Sequence, residues 1–170
     1  MSTIKKGLNL PITGEPAKEI SEHTPAHVAL IGYDYIGMRP TMHVKEGDTV
    51  AKGQVVFEDK KRVGVKYTAP VSGKVVAINR GERRVFESLV IEASQGDEIT
   101  FKAHAKDALA TLSCKEVTTQ LNDAGEWTAL RTRPFSRTPE LDSTPSAIFV
   151  TATDTNPLCA DPADIINANI

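Results

Sequence analysis

Two adjacent lysines, Lys60 and Lys61 in "FEDKKRVGVKYTAPVSGKV" (57–75), sit where one β-rich run turns into the next. An unhindered ε-amine at a tight hairpin is suited to carry an amide-linked prosthetic group, because the attaching enzyme must reach it. A second set of residues suits other chemistry: "RTRPFSR" gathers Arg131, Arg133 and Arg137 around Phe135. Arginine beside an aromatic ring can cradle an anionic or planar ligand such as a quinone ring, stack at a protein interface, or solubilise an interdomain loop that Phe135 anchors. "LIGYDYIGMRP" poses a similar choice, since Tyr33, Tyr35 and Met38 on a glycine-flanked loop either line a pocket or simply pack.

Other reactive groupings are weak. Of the four histidines, only His23 and His27 are close, at i and i+4, and Pro25 between them opposes the helix that would put both on one face. With no third ligand nearby, no metal site is expected. The chain has no G-x-G-x-x-G and no G-x-x-x-x-G-K-[ST], and "GYDYIG" lacks the glycine spacing that admits a pyrophosphate. No Ser or Cys stands in a nucleophile-elbow context, so no catalytic residue is assigned.

Neither lysine falls in register with a carrier. Lipoyl and biotinyl domains expose their modified lysine at a hairpin turn, but ten residues on from Gly53 is Val63 and eight back from Pro70 is Arg62. Lys60 and Lys61 fall one to three positions early. They read better as solvated charges that keep a hairpin soluble and block edge pairing. A carrier domain is the alternative.

The elements that must position these residues are mostly strands. The first 25 residues are interrupted by Gly7, Pro11, Gly14, Pro16 and Pro25, leaving room for a short strand at Ile4 to Leu10 and a loop around Glu15 to Thr24. "HVALIGYDYIG" suits a buried strand meeting a loop. From Met42 to Ala93, short β-rich runs alternate with glycine turns, the pattern of a small barrel or sandwich. "EGDTVAKGQVVFE" and "VSGKVVAINRGERRVFE" repeat a glycine turn before a β-rich run, as two interlocking half-barrels would.

After "SQGDEIT" the texture becomes helical. Phe101 to Asp123 holds one or two helices, with Ser113 and Glu116 forming a capping box that starts a helix at Cys114 and Gly125 terminating it. Gly125 to Pro145 reads as a short helical turn followed by a proline-punctuated loop. Ala147 to Ala152 is an apolar strand, and Asp161 with Pro162 starts a further helix. Strand, loop and helix make the first step of an α/β domain, so the chain reads as a fragment of a longer protein. The expected divisions are 1–25, an irregular lead-in; 26–100, the β domain; and 101–170, a helical connection and the start of an α/β domain.

Composition excludes several classes. Hydrophobic residues at 40% and charged ones at 25% are those of a soluble globular protein, and no run approaches a membrane span. A net charge of −2 gives no polyanion-binding field, so nucleic acid is not an expected partner. The N-terminus has no apolar signal region, and Cys114 and Cys159 lie far apart, which suits two inert thiols in a reducing cytoplasm.

An ordered series of segments carries a resemblance: "IKKGLNLPITGEP" at 4–16, "VALIGYDYIGMRP" at 28–40, "VKEGDTVAKGQVVFEDKK" at 44–61, "YTAPVSGKVVAINRGERR" at 67–84, "WTALRTRPFSRTP" at 127–139 and "AIFVTATDTNPL" at 147–158. Together they resemble the A-subunit family of the bacterial Na+-translocating NADH:quinone oxidoreductase (Na+-NQR), nearly end to end. The resemblance implies a barrel-sandwich hybrid domain of lipoyl/biotinyl-like fold, followed by the start of an α/β Rossmann-like domain. It implies a peripheral subunit on the cytoplasmic side of the bacterial inner membrane, within a six-subunit complex that moves electrons from NADH to ubiquinone and pumps Na+ outward. Contact with the membrane would come only through partner subunits.

No cofactor is expected on this chain, NADH and ubiquinone being used by the whole complex. Relatives in respiratory complex I hold FMN through a glycine-rich loop, whereas "EWTALRTRP" after Gly125 has no glycine cluster. The candidate quinone contacts are Tyr33, Met38, Arg39, Arg133 and Phe135.

Overall fold

The computed structural model describes residues 11–14, 21–151, 156, 158, 159 and 161–168. These fall into two compact units, Thr24–Thr144 and a second drawn from the described residues of 1–23 and 145–170. The expected strand at Ile4 to Leu10 lies outside the described residues.

In the larger unit, seven strands follow in order: β1 (His27–Ile31), β2 (Pro40–Met42), β3 (Thr49–Val50), β4 (Val55–Asp59), β5 (Lys66–Thr68), β6 (Gly73–Arg80) and β7 (Phe86–Ala93). They form a four-stranded sheet in the order β1-β7-β6-β3 and a three-stranded sheet in the order β2-β4-β5. The glycine-turn repeat interlocks as expected. Gly47 N–H of the first repeat donates to Val75 C=O of the second at 2.8 Å, and Val75 N–H donates back to Asp48 C=O at 2.9 Å.

The apolar faces of both sheets close on one core. Val56, Phe57, Val65, Val75, Leu89 and Ile91 are fully buried. Alternation alone would turn Phe86 outward, because it lies three residues before Leu89. The register shift between Asn79 and Arg80 opposite β7 inserts Glu87 as an extra residue, which resets the alternation and turns Phe86 inward. Phe86 then meets Phe57 edge-on at 5.2 Å, Phe57 stacks on Tyr67 at 4.7 Å, and Tyr67 meets Tyr35 edge-on at 4.7 Å. Edge and offset geometries of this kind favour aromatic quadrupoles.

The single α-helix of this unit, α1 (Cys114–Asp123), begins at the anticipated capping box: Ser113 Oγ accepts from Glu116 N–H while the Glu116 carboxylate accepts from Ser113 N–H at 2.9 Å. The hydrogen bonds from Ser113 hold the Glu116 carboxyl below its ordinary range. Gly125 follows the helix with φ 81°, and a Cβ there would fall 2.3 Å from Thr68 Oγ1. Only glycine supplies both the left-handed backbone and the space.

The C-terminal turn of α1 lies against β5. Asn122 Oδ1 accepts from Lys66 N–H at 3.1 Å, and Asn122 Nδ2 donates to Gly64 C=O at 2.8 Å. Beside them, Lys66 Nζ meets Asp123 Oδ1 at 2.6 Å and Thr68 Oγ1 donates to Ala124 C=O at 3.1 Å. A 3-10 turn at Glu126–Ala129 then inserts Trp127 into the core, its indole N–H donating to Pro139 C=O at 3.0 Å.

In the second unit, α2 (Pro162–Ala168) starts as expected, with Asp161 Oδ1 accepting from Ala163 N–H at 2.9 Å. The expected strand at Ala147 to Ala152 is corrected: its described residues, 147–151, have no strand partner. Ile148, Phe149 and Val150 are 70%, 87% and 85% exposed. β-Propensity cannot make a strand without a neighbour to supply its hydrogen bonds.

Candidate functional site

The hairpin that joins β4 to β5 is pinned from several sides. Asp59, at the end of β4, is buried, and its Oδ1 accepts from Lys61 N–H at 2.9 Å and from Arg39 N–H at 3.1 Å. Its Oδ2 takes the Arg62 guanidinium at 3.0 Å. Lys60 N–H donates to Arg39 C=O at 2.8 Å, and Val65 N–H to Arg62 C=O at 3.1 Å. A carboxylate buried without water needs such donors, and here two amides and a guanidinium supply them.

At the carrier position this leaves no free amine. Arg62 is folded back onto Asp59 with its side chain only 12% exposed, and Val63 stands in solvent at 86% exposure. Lys60 and Lys61 are exposed, in keeping with solvated charges. They do not block a sheet edge, however. β4 lies between β2 and β5, and the edge of β5 is met by Asn122 instead.

The second candidate lies on the loops at 32–39 and 130–138. Arg131 joins them: its guanidinium carbon lies 5.6 Å from the Tyr35 ring centroid, and its Nη2 donates to Asp34 C=O at 3.4 Å. The same guanidinium reaches Thr138 Oγ1 at 3.3 Å and the Thr128 carbonyl. The 132–137 turn closes through Thr132 N–H to Arg137 C=O at 2.8 Å, with a cis Arg133-Pro134 bond. Arg137 covers the Phe135 ring at 5.5 Å, and a Cβ on Gly37 would lie 3.7 Å from Arg137 Nε.

The two loops thus adjoin, and the five candidate residues stand around them unequally. Tyr33 and Phe135 are 68% and 67% exposed, and Arg39 and Arg133 are exposed as well. Met38 packs against the core instead. The residues that stitch the loops together are Tyr35, Arg131 and Arg137, which the candidate set omits. A cavity of about 200 Å³ opens beside Tyr35, lined by Leu30, Tyr67, Pro70, Gly125 and Thr128 among others. None of the five candidates lines it. A larger hollow of about 470 Å³ lies elsewhere, between Phe101 to His104 and the Glu116 and Gln120 side of α1.

Burial shapes the two tyrosines at this junction. Desolvation raises the Tyr35 hydroxyl above its ordinary value, while the Arg131 charge pulls it down. Tyr67 is pushed up to about 12, chiefly by burial, and its hydroxyl has no hydrogen-bond partner among the described residues. The Thr138 side chain pulls it the other way without meeting hydrogen-bond geometry. Among the described residues no group of three His, Cys, Asp or Glu side chains gathers that could hold a metal ion. His43 Nε2 lies 3.5 Å from Glu58 Oε1, and His104 Nε2 lies 2.9 Å from Gln120 Oε1.

Two short curled sheets interlocked through their glycine turns are the construction of a barrel-sandwich hybrid. Residues 2–94 match the family model of the NqrA N-terminal barrel-sandwich hybrid domain, and residues 112–170 match that of the NqrA second alpha/beta domain. The chain belongs to the NqrA family, the A subunits of Na(+)-translocating NADH-quinone reductase. It is 60% identical over 98% of its length to the protein of that name from Neisseria meningitidis serogroup C, of which it covers 37%. It is 56% identical to that of Mannheimia succiniciproducens and 55% to that of Vibrio anguillarum, over 98% of this chain and 38% of each relative. The chain therefore spans well under half the length of the curated relatives it matches. Among the described residues no helix is long and apolar enough to cross a membrane.

Proposed function

We propose that this chain works as the N-terminal part of a peripheral subunit on the cytoplasmic side of a six-subunit membrane complex, which passes electrons from NADH to ubiquinone and exports Na+. The observation that carries this reading is the 60% identity over 98% of the chain to a subunit named for that reaction. The chain's own part is assembly: after a lead-in at 1–25, a rigid barrel-sandwich hybrid at 26–100 docks other subunits, 101–170 connects it to the start of an α/β domain, and the chain is silent alone. Replacing this region of a relative's full-length subunit with the present sequence should restore Na+-stimulated quinone reduction by NADH in membranes lacking the subunit. Failure to restore it, or NADH oxidation by the isolated chain, would overturn the reading.

Within it, the two adjoining loops that carry Tyr33, Met38, Arg39, Arg133 and Phe135 make a quinone contact, with Met38 behind them against the core. What supports this is the adjacency of the two loops through Arg131, which stands over Tyr35 at 5.6 Å. Because Tyr33 and Phe135 are about two-thirds exposed, a second wall must come from beyond the described residues to exclude water. In the assembled complex, Arg133→Ala with Phe135→Ala should raise the KM for quinone severalfold with kcat little changed. An unchanged KM excludes the contact.

A further inference from the structure

The hairpin tip at 60–63 combines three features that folding alone does not require. Val63 is the most exposed large apolar side chain of the Thr24–Thr144 unit, at 86%. Its neighbours are nonetheless held tightly: Arg62 by the buried Asp59, Lys61 N–H by the same carboxylate at 2.9 Å, and Gly64 C=O by Asn122 at 2.8 Å. Around it stand Lys60, Lys61 and Arg39, exposed and, among the described residues, with no ion pair or side-chain hydrogen bond. Arg39 belongs to this cluster because its carbonyl takes the Lys60 N–H at 2.8 Å. The edge-guarding role that lysines commonly have is already met by Asn122.

We infer that this tip is a docking knob for another protein subunit, whose socket is apolar at its floor and rimmed by carboxylates. Pre-organisation is the physical argument. A loop already ordered loses little conformational entropy on binding, so a small apolar anchor contributes most of its burial to affinity. The three cations fix the sign of the rim, steer encounter and make the contact salt-sensitive. The inference rests on the reading that the chain is one subunit of an assembly.

The test uses the full-length subunit within the purified complex. Val63→Asp, and separately Lys60→Glu with Lys61→Glu, should each lower retention of the subunit on washing by at least tenfold, the double change more strongly at low salt. Leu109→Asp, at another exposed apolar position, should leave retention unchanged. Benzoylphenylalanine at position 63 should photo-cross-link to an acidic segment of another subunit. Wild-type retention of both Val63→Asp and the Lys60→Glu, Lys61→Glu double variant, or no cross-link to another subunit, overturns the knob. Failure of the wild-type subunit to assemble overturns the function reading instead.

Discussion

Asn122 stands beside Lys66 as a neighbouring strand would, accepting its amide hydrogen at 3.1 Å while donating to the Gly64 carbonyl at 2.8 Å. One side-chain amide thereby satisfies an edge that would otherwise offer open hydrogen-bonding groups to another chain. The same contact fixes α1 to β5. Asn122→Ala should lower unfolding free energy by about 2 kcal/mol, because it strands one donor and one acceptor. Asn122→Asp should cost more, since its second oxygen would face the Gly64 carbonyl. Urea unfolding of the three proteins side by side measures both.

Asp59 sets the conformation of the hairpin rather than its charge. Asp59→Ala leaves the Arg39 and Lys61 amides and the Arg62 guanidinium unsatisfied, a loss of about 3 kcal/mol or more. Hydrogen exchange at Lys61 should rise sharply, even under conditions where the barrel remains folded.

Tyr67 gives the stability a signature in alkali. Its folded pKa, pushed up to about 12, lies above the ordinary value of 10.0, so the folded state holds its proton more tightly than the unfolded state. Stability is therefore full below about pH 10 and falls as pH rises toward 12. Tyr67→Phe should flatten that fall and be neutral or slightly stabilising at pH 7, because it removes a buried hydroxyl without a partner. Absorbance titration of the tyrosinates, with melting curves at each pH, checks both statements.

Arg131 acts on Tyr35 in the opposite sense. Because its charge pulls the Tyr35 hydroxyl down, Arg131→Ala should raise that titration further. It should also loosen the 132–137 turn, with a stability loss of about 1 kcal/mol at a largely exposed site. An unshifted Tyr35 titration would contradict the stacking geometry.

Lys60 and Lys61 should remain unmodified. Co-expression with active lipoyl and biotinyl ligases should leave the intact mass of the chain unchanged, because the carrier position is held by Arg62 and Val63. An added lipoyl or biotinyl mass on either lysine would revive the carrier reading.

Much of this architecture was legible because its causes are local. Ser113 and Glu116 are three residues apart and make their own cap, Asp161 caps the helix that Pro162 starts, and the hairpins follow alternation between glycine turns. What escaped is held over long separations. Asn122 meets Lys66 across 56 residues and Arg131 meets Asp34 across 97, and no local periodicity encodes either. The lone tryptophan offered one usable signal, since Trp127 amid a loop asked for a core to fill. The strand expected at 147–152 failed for the converse reason: "AIFV" has the propensity, but pairing is a property of the neighbour.

The order in which the strands enter the two sheets bears on how the chain folds. β3 belongs to the four-stranded sheet, while β2 and β4, which flank it along the chain, belong to the other. The β4–β5 and β6–β7 hairpins pair locally, but β2 and β3 reach their partners only past strands of the other sheet, so closing both sheets awaits contacts more distant in sequence, which slows the search. Amide protons of β4 and β6 should then exchange through one shared opening, with equal free energies, as a single cooperative unit.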